Sequence, residues 1–154
     1  MAQIFLGTAA RLVSLWLMLS LAAAVSGQDI DPEEPRYVAD IELETSAELL
    51  ELLRRASHLF GKGMVDQEGE SRVSFVLHGP VIRDLLRQNY SGNRELVDLA
   101  ASLTALQVVD IKACQTWMTV NAVNEGELQP FVETVSFAPG EVTRLTVEKN
   151  YLDF

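Results

Sequence analysis

Cysteine is almost absent. The 154 residues contain one, Cys114, so no internal disulfide can form, and a thioredoxin-type oxidoreductase, which needs two thiols, is disfavoured. Histidine occurs twice, as His58 and His78. Two histidines and one cysteine, widely separated, do not make a tetrahedral zinc set without carboxylate help, so no metal is assigned. No glycine-rich loop has phosphate-binding spacing. Gly61-Lys62-Gly63 is too short for a P-loop and follows a helical pattern rather than a strand, and no other cofactor motif is present. No papain-like signature surrounds Cys114, and neither an internal repeat nor a low-complexity segment occurs. Basic residues are scarce as well: 12 Lys and Arg stand against 22 Asp and Glu. That acidity repels phosphate backbones and anionic lipid, which argues against nucleic-acid binding.

Acidic residues are themselves missing from residues 1–27, where the only charged side chain is Arg11. An apolar core from Leu12 to Ala24 follows, shorter than the roughly 20 residues that span a bilayer. Ala22-Ala23-Ala24 and Val25-Ser26-Gly27 offer the small residues a signal peptidase reads. The expectation is a signal peptide at 1–27, Sec-type because no twin arginine precedes the core, with an uncleaved anchor as the competing reading. No cysteine lies near the cleavage zone to carry a lipid. The mature protein is then periplasmic or secreted, without a stable membrane anchor, and carries a net charge of about −11. In an oxidising compartment an odd cysteine leaves three readings: a buried inert thiol, an intermolecular bridge or a reactive site.

Residues 28–35 are acidic, contain Pro32 and Pro35, and read as a flexible lead-in. A single domain is expected over 36–154. Arg36–Leu43 alternates as a half-buried or edge strand. Thr45-Ser46-Ala47-Glu48 is a capping-box sequence before a helix whose inward face holds Leu49, Leu53, Ala56 and Phe60, ended by Gly61 and Gly63. Met64–Ser71 reads as a loop and Arg72–Leu77 as a strand closed by His78-Gly79-Pro80. A helix from Val81 to about Asn89, a turn at 90–93 and a helix from Arg94 to about Leu106 follow. Leu106–Ala113 reads as the strand leading to Cys114, then a helical stretch to about Val123 and a turn at 125–130. Glu133–Phe137 is a strand stopped by Pro139-Gly140, and Glu141 to about Tyr151 is the last helix. This alternation predicts α/β architecture: a three-layer sandwich around a mostly parallel sheet of about five strands. Right-handed crossovers bring the strand C-terminal ends to one edge, where ligands bind in open sheets.

Cys114 and His78 both fall at that edge. A thiol where a strand meets a helix lies near backbone N–H groups that favour the thiolate, and His78 can donate a proton or stabilise charge on sulfur. Their plainer alternatives are a small buried hydrophobe and a histidine bonded to a backbone carbonyl. His58 reads as a helix-flank residue. Trp117 and Met118 read as core or oligomer contacts that could also wall off a thiol pocket.

Phe75-Val76-Leu77-His78-Gly79-Pro80, the strand into Cys114-Gln115-Thr116, the link to Leu128-Gln129-Pro130 and the closing Val135-Ser136-Phe137-Ala138-Pro139-Gly140 occur in the order and spacing of a known family. Over roughly Val73–Leu152 the chain resembles the DsrE/DsrF-like (YchN-like) sulfur-relay proteins, here as an exported member. The resemblance implies a three-layer α/β fold, assembly as a homotrimer or homohexamer, and a sulfur-carrying thiolate at Cys114. Its partners would be a sulfane sulfur donor and an acceptor protein thiol. This chain departs from the family's cytoplasmic members in its leader, and Asn150 stands before Tyr151 where a glycine is common. Sulfur binding or transfer through a Cys114 persulfide is the first functional expectation. A non-enzymatic oligomeric binding module with a buried inert thiol is the second. A redox sensor that forms an intermolecular disulfide is the third.

Overall fold

Four short runs containing β-branched and other apolar residues become strands of one sheet, and a two-residue strand near the C-terminus joins its edge. The structure is a computed structural model and describes residues 35–61 and 70–154. The expected leader, most of the acidic lead-in and most of the loop expected at 64–71 lie outside the described residues. The elements run β1 (Tyr37–Ile41), α1 (Ser46–Phe60), β2 (Val73–Leu77), two 3-10 turns (Pro80–Leu85 and Arg87–Asn89), α2 (Arg94–Ala105), β3 (Val109–Cys114), α3 (Gln115–Val120), a 3-10 turn (Glu125–Glu127), β4 (Val132–Val135), α4 (Ala138–Thr143) with a π-helical continuation (Arg144–Glu148), and β5 (Leu152–Asp153).

All four strand pairs are parallel, in the order β4-β3-β2-β1-β5. The chain steps one strand at a time from β1 to β4, then returns past β3, β2 and β1 to reach the far edge at β5. Right-handed crossovers put the connections of the outward steps on one face and that of the return step on the other. The packing agrees. Facing α1 and α2, Phe75, Leu77 and Ile111 of the sheet meet Leu49, Leu53, Ala100 and Leu103. Facing α4, Val38, Val76 and Cys114 meet Ala138 and Leu145. Helices on both sides of an all-parallel sheet make the expected α/β sandwich.

Local chemistry explains most element ends. The Thr45 hydroxyl accepts the Glu48 N–H and the Glu48 carboxylate accepts the Thr45 N–H, a complete capping box. Gln107 adopts φ 56° just after α2. Its N–H bonds Thr104 O and the Val108 N–H bonds Leu103 O, which closes the helix in a Schellman motif without glycine. That turn shifts the start of β3 from the expected Leu106 to Val109. The helix expected over Val81–Asn89 is instead two 3-10 turns. Leu86 is extended between them (φ −76°, ψ 142°) and bridges antiparallel to Leu128. Pro139-Gly140 does not stand outside the last helix. Pro139 lies in the first turn of α4, where its missing N–H costs nothing.

Candidate functional site

Period-two alternation decides what each face of β3 carries. Val109, Ile111 and Ala113 point to the α1/α2 core; Asp110, Lys112 and Cys114 point to the α4 face. Lys112 therefore shares its face with the thiol. Leu77 pairs with Ala113 in register, so His78 and Cys114 occupy adjacent positions at the C-terminal edge. Gly79 lets the chain beyond His78 pass close to Leu43: a Cβ there would stand 3.1 Å from Leu43 N. Val81 N–H then bonds Leu43 O, which fixes the β2 exit against the β1 exit.

Cys114 is 3% exposed. Its Sγ lies 3.4 Å from the backbone N of Ala138, which donates to it from the first residue of α4. Cys114 is also the residue that enters α3. Val38, Val76 and Leu145 surround it, with Trp117 and Tyr151 packed on that cluster. Thr116 donates to Ser136 O and Gln115 to Thr134 Oγ1, which tie the turn after Cys114 to the β4 exit.

His78 is partly exposed, and its Nε2 stands 2.8 Å from Asp40 Oδ1. Asp40 is reachable because β5 pairs only with Tyr37 and Val38, leaving the last residues of β1 beyond it. The edge thus brings together Asp40, His78 and Cys114 from β1, β2 and β3. The imidazole is engaged by Asp40 and the sulfur by Ala138. Asp40 was not foreseeable from sequence spacing; only the register of β1 on β2 puts it beside His78. His58 is exposed on α1, away from the edge, as expected.

The remainder of the α4 face is charged. Ser74 Oγ donates to Asp110 Oδ2 at 2.9 Å. Lys112 Nζ reaches Asp110 at 3.2 Å and Glu141 at 2.9 Å. Arg144 grips Glu141 with two hydrogen bonds of 2.8 Å. Those Arg144 bonds, with help from Lys112 and against the cost of burial, hold the Glu141 carboxyl down at about 2. Burial pushes Asp110 up, opposed by Lys112 and Ser74. Burial also works against charge on Lys112, but Asp110 and Glu141 outweigh it and raise its pKa. The Lys112–Glu141 bond ties α4 to β3 two residues before the thiol. Among the described residues no group of three His, Cys, Asp or Glu is placed to hold a metal ion, and no helix is long and apolar enough to cross a membrane.

The fold is similar to the solved structure of MTH1491, a protein of unknown function from Methanobacterium thermoautotrophicum. That structure superposes with a TM-score of 0.61 at 20% sequence identity, over 79% of this chain and 98% of the other. At that identity the likeness shows the fold alone. No protein-family model matches the chain. No curated protein matches it either.

Proposed function

We propose that this protein takes up sulfane sulfur on Cys114 and hands it to an acceptor thiol. The observation that carries the reading is the Ala138 N–H donated to Cys114 Sγ at the strand edge. A backbone N–H on sulfur is the contact that steadies a thiolate or the inner sulfur of a persulfide. In the first step the Cys114 thiolate attacks the terminal sulfur of a donor persulfide. The donor's S–S bond breaks, a new S–S bond forms on Cys114, and the donor leaves as a thiolate. In the second step an acceptor thiolate attacks the outer sulfur, and Cys114 leaves as the thiolate. Sulfur stays at the sulfane level throughout, so no oxidant is consumed. His78, oriented by Asp40, supplies a proton to the departing thiolate or a donor to the outer sulfur. Both steps need the apolar side chains packed over the sulfur to open locally while the Ala138 N–H stays on it, because 3% exposure leaves no room for a donor.

Intact-mass spectrometry after polysulfide treatment tests this. The wild-type chain gains about 32 Da per sulfur and Cys114→Ser gains nothing; an unchanged wild-type mass sinks the reading.

The burial of Cys114 favours a second reading, an oligomeric binding module whose thiol is inert packing. Labelling by a thiol reagent separates the two. An inert thiol reacts only at the rate of global unfolding, and a working one reacts faster through local opening of the side chains that cover it. Export and assembly belong to the same proposal. The mature N-terminus is expected at about residue 28, read by terminal sequencing, and light scattering is expected to give a trimer or hexamer.

A further inference from the structure

The charged side of the sheet holds a hollow that Cys114 does not line. A cavity of about 340 Å³ is bounded on the sheet side by Asp110, Lys112 and Glu133 and on the other by Arg144, Lys149 and Tyr151. Its size is at the small end of ligand pockets, which begin near about 300 Å³. That suits a small metabolite, not a nucleotide or a folded peptide.

Two features show that the fold alone does not require this hollow. Asp110 and Lys112 stand on an interior strand of a parallel sheet, where near-continuous apolar runs are the rule. Desolvating two charges there costs more than a packed apolar pair would, and charges kept in a cleft mark functional sites. The wall opposite is the π-helical turn Arg144–Glu148, a rare geometry concentrated at functional sites.

The charges sort by position, and Glu70, which also lines the cavity, is held by Arg36. Lys112 is neutralised by Asp110 and Glu141 within the fold. Glu133 lies beside Lys112 in register and, as a like charge, helps push Asp110 up. Arg144 and Lys149 supply positive charge from the helical side. Among the described residues, Glu133 and Lys149 are the lining charges with no ion pair, one of each sign. Arg144 spends Nε and Nη2 on Glu141, which leaves Nη1. A simple anion would face Asp110 and Glu133; a simple cation would face Arg144 and Lys149.

We propose that this cavity binds a small zwitterion of the free amino-acid class. The ammonium lies between Glu133 and Asp110, and the carboxylate lies on Lys149 and Arg144. The site is proposed as independent of sulfur transfer: Cys114 does not line the cavity, and only Leu145 and Tyr151 are shared with the sulfur's surroundings.

Calorimetric titration of the full-length protein with the standard L-amino acids tests it, followed by the N-acetylated and decarboxylated forms of the best binder. At least one free amino acid is expected to bind saturably. Each blocked form, having lost one charge-assisted contact, is expected to bind at least about tenfold more weakly. Glu133→Gln and Lys149→Met change exposed side chains, and each is expected to weaken binding about tenfold with the circular dichroism spectrum unchanged. Cys114→Ser leaves the affinity unchanged. The proposal is overturned if no amino acid binds tighter than about 1 mM, if a blocked form binds as well as its parent, if either cavity substitution has no effect, or if Cys114→Ser removes binding.

Discussion

The two faces of the sheet bury their side chains by different means. Toward α1 and α2 the interior is apolar: Phe75, Leu49, Leu53, Ile82, Leu85 and Ile111 are fully buried. Each such side chain contributes about 1.5–3 kcal/mol by leaving water, with little demand on direction. An aromatic group of Tyr37, Phe60, Phe75 and Phe154 closes the end of this face. Toward α4 the buried apolar cluster, among the described residues, is Val38, Val76, Cys114, Ala138 and Leu145, and Asp110, Lys112 and Glu141 stand beside it. Those charges contribute only while their geometry holds. The first face holds the larger apolar core; the thiol, the charged hollow and α4 share the second.

The largest expected effect breaks the apolar face. Phe75→Ala is expected to cost about 3–5 kcal/mol in denaturant unfolding, because a fully enclosed ring leaves a cavity. Leu145→Ala on the other face is expected to cost about 2–3 kcal/mol. It is also expected to speed labelling of Cys114 far more than its loss of global stability accounts for, since Leu145 covers the sulfur's cluster. Equal acceleration by Phe75→Ala at matched stability would erase the distinction between the faces.

The charged network comes next. Lys112→Met removes the cation shared by Asp110 and Glu141 and is expected to cost about 2 kcal/mol, below a fully buried pair because both sites keep some solvent. Adding Asp110→Leu is expected to restore much of that loss, because Arg144 still holds Glu141. Acid titration probes the same contacts. Glu141 titrates at about 2 in the folded protein against an ordinary 4.5. Its contribution is complete above about pH 4.5 and is lost as pH falls toward 2. Asp110 has the opposite sign: its raised pKa means that protonation on acidification relieves a burial cost. Glu141→Gln is therefore expected to flatten the acid limb of the stability curve between about pH 4.5 and 2, measured by melts across pH. The smallest expected effect is Asp40→Asn: below about 0.5 kcal/mol for a half-exposed pair, with a slower second-step sulfur release as its functional mark.

The apolar face was legible in the sequence, and the α4 face was not. Helical spacing at Leu49, Leu53 and Ala56, the capping box and the short apolar strands carry their own periodicity and led to the observed layers. Helices changed where tertiary pairing overrode local pattern, as at Leu86, whose bridge to Leu128 cuts a helical repeat in two. The two-residue strand β5 is too short to have a period and exists because Tyr37 and Val38 offer it an edge. Cys114 and His78 were visible as strand-end residues. Asp40, Ala138 and Glu141 were not, because their roles come from register and from which face α4 covers. Lys112 was visible as a charge, but its side of the strand followed only from the buried alternation of its neighbours.

Sulfur traced from donor to acceptor tests the central claim most directly. Polysulfide bearing a heavy sulfur isotope is mixed with the protein, excess donor is removed, and a small-molecule acceptor thiol is added. The account predicts that heavy sulfur leaves the protein and appears as acceptor persulfide, and that Cys114→Ser neither loads nor delivers it. Retention of the label on Cys114, or equal delivery by the serine variant, would contradict it.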